Sequence, residues 1–498
     1  MYDLLIKNAM VLDGTGAKAY SADVAVKDGK IAAIGENLSG GKTVMDAAGL
    51  TLSPGWIDSH SHSDSSVVAY PDQKEKVEQG ITFSISGQCG SSTVPVRRTD
   101  GTIKTMGDFL RELSQIPQGS GSAIQIGHNH LRRAVMGSEN RLCRPEELEQ
   151  MKELLREGMD AGAIGMSLGL YYMPGCYADT HEVIELAKVV AEKGGVISAH
   201  LRDESADLIP SAKEFIDVLL ASGCRGVISH HKAMDPSNWG KVHTTVNMVE
   251  EANANGADIY FDMYPYCASG TTMLARFLPK RFHPEGTTNA IGLLDDPQIC
   301  DAVKAWGRKR WGERLDWVML QGYDGMNLEE LAKARGQEDA YDTAFDVIRE
   351  SNGRASAYFF LTGEEDLKFV MSHPRCMICT DSSVAGKQER FHPRLVASFP
   401  RALGKYVREE QVIDLPEMIR KITSLPAHVY GLSGKGKVAV GMDADLCIFD
   451  PDTICDTATY ANCKLPNVGL HYVIIDGKIV LKDGVYTGIR AAKVMSNT

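Results

Sequence analysis

The sequence lacks the features of a membrane protein or a nucleic-acid-binding protein. No apolar run approaches the ~20 residues that a membrane helix needs, and the first residues do not resemble a signal peptide. Basic residues are in the minority, with 53 Lys and Arg against 65 Asp and Glu and a formal net charge of -12. Because an acidic chain without a basic patch repels phosphate backbones, we expect no nucleic-acid partner.

Cysteine is neither abundant nor regularly spaced. The 11 cysteines are odd in number and scattered, which argues against a disulfide framework. We therefore expect reduced thiols and a cytoplasmic protein, with a thiol available for chemistry. The chain has 498 residues, 43% of them hydrophobic, so it can bury a large core and should hold two or three domains.

Short apolar runs joined by turns mark both ends of the chain. Asp28-Gly29 separates two such runs near the start, and Asp476-Gly477 and Asp483-Gly484 do the same near the end. An Asp-Gly pair between apolar runs is the strongest short-range signal for a hairpin. We expect one small β-sandwich built from 1–53 and 431–498, with two unrelated β-rich caps as the alternative.

The middle of the chain, residues 54–430, alternates short apolar strands with helical stretches. This alternation predicts an α/β fold with a parallel sheet, and eight strands over this length predict a (β/α)8 barrel of the TIM type. Residues 282–368, between the seventh and eighth strands, are expected to form an insertion over the active site. The predicted strands are 51–62, 81–86, 123–127, 164–168, 196–199, 227–229, 258–263 and 377–380.

Residues that bind metals follow several predicted strands at the same end. His60 and His62 end the first strand, where residues i and i+2 point to one face. The second, fifth, sixth and eighth strands are followed in turn by Cys89, His200, His230 and Asp381. A lone strand-end histidine usually serves packing, but six such residues at the catalytic end of a barrel indicate a metal site. Imidazole and thiolate together favour Zn²⁺ over Mg²⁺ or Ca²⁺.

Five short stretches carry a resemblance to a known family. They are 54–62 (PGWIDSHSH), 87–90 (GQCG), 229–232 (SHHK), 264–266 (YPY) and 392–394 (HPR). With them the chain resembles the amidohydrolase superfamily and, within it, the N-acyl-D-amino-acid deacylases (D-aminoacylases), over nearly its whole length. The specific part is Cys89, because hydantoinases and dihydroorotases of the superfamily use a carboxylated lysine, and the fourth strand has no lysine here.

The resemblance implies a zinc-dependent enzyme that hydrolyses the amide bond of N-acyl-D-amino acids, giving a carboxylate and a free D-amino acid. It assigns one tightly held Zn²⁺ to Cys89, His200 and His230. It assigns a second, weaker metal position to His60 and His62.

The resemblance also implies the residues that act on the substrate. Asp381 is the catalytic acid and base, although its context Thr380-Asp381-Ser382-Ser383 departs from the usual Ser-Asp-Gly. The residues implied to bind the substrate and its α-carboxylate are Lys232, Tyr264, Arg394 and Ser269, with Tyr172 walling the pocket. Arg276 is open to two interpretations, as a selector of acidic side chains or as a solvent-facing charge.

Two other functions compete with this interpretation. A related amidohydrolase acting on a cyclic amide or a dipeptide would keep the same barrel. A non-catalytic barrel that serves as a scaffold would be expected to lose metal ligands, whereas all six positions are retained here. The expected partner is a small N-acyl amino acid, and the sequence does not specify an oligomeric state.

Overall fold

Eight parallel strands form the centre of the protein, seen in a computed structural model that describes residues 1–388 and 391–496. They pair in chain order, and the third is split at Gln125. The first and eighth meet through a bridge between Ser61 and Ser382, so the sheet closes into a barrel. The barrel strands are Trp56–Asp58, Ile81–Ser86, Gly121–Ile124 with Ile126–Gly127, Gly165–Gly169, Val196–His200, Arg225–Ile228, Ile259–Met263 and Cys376–Ile378.

The first predicted strand is in fact two strands that belong to different sheets. Thr51–Pro54 pairs with the terminal sheet, and Trp56–Asp58 pairs with the second barrel strand. The chain changes sheets at Gly55, where an added Cβ would lie 2.3 Å from Thr82 Oγ1. Only glycine allows the two backbones to approach this closely, a contact that the apolar pattern of 51–62 does not reveal.

Helices follow the barrel strands and cover their outer surface. Helix Pro145–Ala161 begins with proline at its first position and ends at Gly162, whose φ is 116°, as expected for helix starts and stops. The α-helices are Lys74–Val77, Met106–Ser114, His128–Met136, Pro145–Ala161, Thr180–Glu192, Leu208–Ser222, Lys241–Ala254, Met273–Phe277, Pro297–Trp311, Leu328–Arg335, Ala340–Glu350, Glu364–Ser372, Arg394–Arg401, Leu415–Ile422 and Ser424–Val429. A π-helix, Ala402–Glu409, continues from Arg401.

Strands from both ends of the chain share one nine-stranded sheet. Leu446–Phe449 pairs antiparallel with Thr51–Pro54 and so joins the two ends. The hairpin turns predicted at Asp28-Gly29, Asp476-Gly477 and Asp483-Gly484 have positive φ at both residues, as the type I′ turn requires. The strands are Tyr2–Val11, Tyr20–Lys27, Lys30–Gly35, Gly41–Asp46, Thr51–Pro54, Leu446–Phe449, Leu470–Ile475, Lys478–Lys482 and Val485–Tyr486.

A separate unit lies between the seventh and eighth barrel strands. Its three-stranded sheet begins at Ser269, ahead of the expected start of the insertion at residue 282. The unit buries its own apolar cluster, which includes Phe277, Tyr341 and Phe359. The strands are Ser269–Thr272, Val318–Leu320 and Ser356–Phe359, and a further pair before the second barrel helix is Val96–Arg97 with Ile103–Lys104.

The barrel and the terminal sheet share an apolar contact. Trp56 stacks on Phe399 at 6.1 Å between ring centroids and meets Phe449 edge-on at 5.7 Å. Trp56 is fully buried, as are most apolar residues of the barrel strands. Among the described residues, every helix is too short or too polar to cross a bilayer.

Candidate active site

The six predicted metal and catalytic residues come together at the carboxyl end of the barrel. Cys89 Sγ lies 3.3 Å from His60 Nε2 and 3.3 Å from His230 Nε2. His200 Nδ1 lies 3.0 Å from His230 Nε2. The remaining predicted ligand, His62, places Nε2 3.1 Å from Asp381 Oδ1.

The donor atoms form two overlapping groups. In the first, one atom each from His60, Cys89, His230 and Asp381 lies within 4.8 Å of the others. In the second, His200 and His230 are joined by Glu204 at the same spacing. Imidazole nitrogens, a thiolate and carboxylates at this density fit zinc. Both groups are buried, so the donors are held apart from bulk water.

Three of these residues have a backbone conformation that non-glycine residues seldom adopt. Cys89, His230 and Asp381 have φ values of 53°, 36° and 45°. Such conformations cost on the order of 1–3 kcal/mol each and cluster at functional sites. Here each one turns a side chain inward directly after its barrel strand.

The electrostatics of the cluster favour anionic donors. Burial alone would raise the pKa of the Cys89 thiol, but the charges of His60 and His230 hold that pKa well below its usual value. Burial likewise opposes ionisation of Asp381, yet the charge of Arg394 holds the pKa of its carboxyl well below the usual range. A thiolate and a carboxylate are therefore available at neutral pH.

A carboxylate that sequence reasoning did not identify orients the histidines. Asp262, buried in the seventh barrel strand, places Oδ2 3.4 Å from His60 Nδ1. Its Oδ1 accepts a hydrogen bond from the His230 backbone at 2.7 Å. Partners of this kind fix which ring nitrogen faces a metal. The available signal was an acidic residue inside an apolar strand, Ile259–Met263.

A second buried pair joins the ends of the first and eighth strands. Lys76 is fully buried and forms an ion pair with Asp58. Lys76 Nζ also donates to Ser61 Oγ at 2.8 Å, and Asp58 Oδ1 accepts from the Thr380 backbone at 2.8 Å. Asp58 lies two residues before His60 and Thr380 directly precedes Asp381, so these contacts tie together the segments that carry both site residues.

Glu204 connects the metal ligands to the predicted substrate cation. Its Oε1 lies 2.9 Å from His230 Nδ1, and its Oε2 lies 2.8 Å from Lys232 Nζ. His200 Nε2 is 3.7 Å from the same carboxylate. In the sequence Glu204 follows His200 by four residues, a position from which it can orient that ligand. Lys232, implied by the resemblance to bind the substrate carboxylate, is paired with Glu204.

The other predicted substrate residues line one side of a cavity of about 740 Å³. Arg394 Nη1 lies 2.8 Å from Asp381 Oδ2, and the guanidinium stacks over Tyr264 at 4.6 Å from the ring centroid. Tyr264 OH, Ser269 Oγ and Arg394 Nε are buried without a hydrogen-bond partner among the described residues. Such atoms are costly unless a ligand satisfies them.

The tyrosine expected to wall the pocket does line the cavity. The ring of Tyr172 lies 4.8 Å from that of His200, and its hydroxyl is 3.2 Å from Thr271 Oγ1. Arg276 also lines the cavity and is buried, so it is not a solvent-facing charge. It forms an ion pair with Asp235 at 2.7 Å.

Two features that resemble metal or redox motifs have structural roles. His128 Nε2 bonds Glu182 Oε1 at 2.7 Å beneath the cavity, and His130 Nδ1 accepts from the Ser92 backbone at 3.3 Å. The Cys376-x-x-Cys379 thiols are free and buried, and burial raises the pKa of both. Neither pair joins the cluster around Cys89.

The chain is similar to known proteins over its whole length. Residues 43–481 match the amidohydrolase family, and residues 1–54 match the N-terminal domain of the urease alpha-subunit. The chain is 32% identical to D-aminoacylase of Alcaligenes xylosoxydans xylosoxydans over 512 aligned positions, which cover 100% of this chain and 98% of that protein.

Solved structures show the same relationship. N-acyl-D-glutamate deacylase of Bordetella bronchiseptica, in complex with zinc and a phosphonate mimic of the tetrahedral intermediate, superposes with a TM-score of 0.85, 30% identity and 99% coverage of both chains. A D-aminoacylase with a binuclear metal centre gives 0.86, 30% and 100% of both. The chain therefore belongs to the amidohydrolase family, in the group of the D-aminoacylases and N-acyl-D-amino-acid deacylases.

Proposed function

We propose that the protein hydrolyses N-acyl-D-amino acids to a carboxylate and a free D-amino acid with the help of zinc. The observation that carries the proposal is the buried cluster of Cys89, His60, His230 and Asp381, whose donor atoms lie within 4.8 Å of one another. The cluster opens into a cavity that also holds unpaired polar atoms suited to a carboxylate. Relatives with this function match the chain from end to end.

Cys89, His200 and His230 would hold the tightly bound zinc, and His60 and His62 would form a second, weaker position. The soft thiolate and the imidazoles fit this metal. The D-aminoacylase used for comparison has a binuclear centre described as activated by one metal and attenuated by the second, which supports unequal sites. When bound, zinc polarises the amide carbonyl and lowers the pKa of water.

Asp381 moves the proton. As a carboxylate it takes a proton from the attacking water while the water oxygen bonds to the amide carbon. It then delivers that proton to the amide nitrogen as the C–N bond breaks, so one group acts as base and then as acid. His62, whose Nε2 lies 3.1 Å from Asp381 Oδ1, and Arg394 orient the carboxylate.

The α-carboxylate of the substrate would bind between the seventh and eighth strands. Arg394 supplies the charge, and its planar guanidinium suits a carboxylate. Tyr264 OH and Ser269 Oγ offer the donors that the described protein leaves unpaired. Lys232, which is held by Glu204 at 2.8 Å, faces the same cavity, and Tyr172 closes the opposite wall.

We further propose a domain organisation to match these roles. Residues 54–430 form the catalytic barrel, the inserted unit that begins at Ser269 and includes 282–368 covers the active site, and 1–53 and 431–498 form the terminal β-domain. The shared sheet of both chain ends supports this division. The unit after the seventh strand buries its own apolar cluster, which supports its assignment as a separate cover of the active site.

The sequence of the fourth barrel strand, Gly165–Gly169, favours a linear amide over a cyclic amide as the substrate. It contains no lysine that could be carboxylated to bridge two metals, as hydantoinases require. Cys89, after the second strand, would supply an anionic metal donor in its place.

A paired-substrate assay tests the proposed function. Zinc-loaded protein is offered N-acetyl-D- and N-acetyl-L-amino acids in matched pairs, and the release of free amine is followed. We expect hydrolysis of D-substrates, loss of activity on chelation and its return with zinc. Failure to cleave any D-substrate, or a preference for L-substrates throughout, would refute the proposal.

A further inference from the structure

A recess of about 240 Å³ lies beside the catalytic cavity. Arg133, Tyr171, Tyr172 and Thr272 line both spaces, so the recess lies directly behind the wall formed by these side chains. Its remaining surface comes from Ser138, from the loop after the fourth strand and from the segment after the seventh. The proposed reaction does not use this recess.

Several polar groups of this recess already bond to the protein. Lys280 Nζ donates to Cys176 O at 2.6 Å, and Arg133 Nη2 donates to Met173 O at 2.6 Å. His283 Nδ1 accepts from Tyr177 OH at 2.8 Å, and its Nε2 donates to the Leu278 carbonyl at 2.9 Å. Lys280, Arg133 and His283 therefore each have a polar partner within the protein before any ligand enters.

Apolar side chains supply a large share of the remaining surface. Met173, Leu274, Ala275, Leu278 and Ala290 all line the recess. Burial of alkyl groups against such a surface is favourable by about 0.8 kcal/mol for each methylene. The chemistry of the recess suits a hydrocarbon chain.

The position of the recess relative to the carboxylate site decides which part of a substrate could reach it. The carboxylate anchors follow the seventh and eighth strands, whereas Tyr171 and Tyr172 follow the fourth, across the barrel from the eighth. An amide is planar and trans, so its acyl chain points away from the amino-acid carbon. With the carboxylate at Arg394 and the carbonyl at the metal donors, the acyl chain points toward the recess.

We propose that this recess is a subsite for the acyl chain, which makes N-acyl-D-amino acids with chains longer than acetyl the preferred substrates. The inference rests on the proposed function, because it uses the orientation of the same substrate. It adds the identity of the acyl group, which the catalytic cluster leaves undefined.

A chain-length series tests the subsite. With one D-amino acid, kcat/KM is measured for its N-acetyl, N-butanoyl and N-hexanoyl derivatives on the zinc-loaded protein. We expect kcat/KM to rise roughly fourfold for each added methylene. The variant Ala275→Phe fills the recess from a half-buried position, and it should abolish this gain while leaving the acetyl substrate within about twofold of its original value.

Ala221→Phe is the matched control, because Ala221 is exposed on helix Leu208–Ser222 and does not line the recess. It should keep the full dependence on chain length. A flat or falling series in the unmodified protein would overturn the subsite, as would an equal loss on all three substrates in Ala275→Phe with unchanged thermal stability.

A binding measurement separates this inference from the proposed function. Acetate, butanoate and hexanoate, the acids that hydrolysis would release, are titrated into the zinc-loaded protein by calorimetry. Tighter binding of hexanoate that Ala275→Phe removes would support the subsite even if no amide is cleaved. Equal affinity for the three acids would refute it even if N-acetyl-D-amino acids are hydrolysed.

Discussion

On one side of the cavity, beside the seventh and eighth strands, polar atoms of Tyr264, Ser269 and Arg394 are buried without partners among the described residues. On the other side, behind Tyr171 and Tyr172, the polar groups of the recess are bonded to the protein itself. Unpaired polar atoms select a ligand group that can pair with them, and they reject one that cannot. Apolar side chains, which also line the recess, select a ligand group by its size and apolar area.

Substitution of Asp381, which lies between the two sides of the cavity, should reduce turnover most. Asp381→Asn keeps the shape but cannot accept the water proton, so we expect kcat to fall by about 10³-fold or more. Zinc content should be retained, since Cys89, His200 and His230 are unchanged. Steady-state kinetics with metal analysis checks this, and wild-type turnover with bound zinc would contradict the role.

Substitution of Arg394, on the polar side of the cavity, should cause the next largest loss of activity. Arg394→Met removes the charge for the α-carboxylate, and we expect kcat/KM to fall about 100-fold by loss of charged hydrogen bonds. The loss should be equal for acetyl and hexanoyl substrates, because the two sides act independently. If Arg394→Met reduced kcat/KM for only one of the two acyl chain lengths, the two sides of the cavity would not act independently.

The same variant should alter the pH profile. Arg394 helps to hold the pKa of Asp381 well below its usual range, so the base stays ionised into acidic solution. Removing the guanidinium raises that pKa, and the acidic limb of kcat/KM should move to higher pH. Arg401→Met is the control, because Arg401 pairs with Asp456 away from the metal donors, and it should leave the limb in place.

Substitution of Glu204 should weaken zinc binding by an intermediate factor. Glu204→Gln weakens the bond to His230 Nδ1 and the pairing of Lys232, and we expect zinc affinity to drop about 10- to 100-fold. Chelator competition measures this without turnover. Glu214→Gln is the matched control, since Glu214 pairs with Arg202 instead, and an equal drop there would point to general destabilisation.

The smallest effect on the kinetics is expected for substitution of Tyr264, on the polar side of the cavity. Tyr264→Phe removes one hydroxyl and keeps the ring under Arg394, so KM should rise about fivefold to tenfold, as for a single hydrogen bond. An unchanged KM for every D-substrate would mean that the buried hydroxyl does not contact the substrate.

Most of the barrel was predictable from local patterns. Apolar strands such as Ile81–Ser86 and Val196–His200 were identified because both faces are buried, and the ligands were found because each directly follows a strand. The switch of sheets at Gly55 was missed, since it depends on the approach of Thr82 rather than on the pattern of apolar residues.

The supporting residues of the site were harder to predict. Asp262 and Lys76 act through partners that are distant in sequence, His60 and Asp58 among them. A single sequence shows which side chains could ionise but not which ones meet in the folded chain. Lys232 illustrates the limit, because its pairing with Glu204 was not anticipated from the motif 229–232.

The shared terminal sheet has a consequence for synthesis on the ribosome. Thr51–Pro54 takes its antiparallel partner from Leu446–Phe449, which emerges only after the whole barrel has been translated. Until then one edge of the strand is open to pairing with other chains. Nascent chains stalled before residue 446 should therefore require chaperones, whereas a circular permutant that joins the two ends should complete this sheet early.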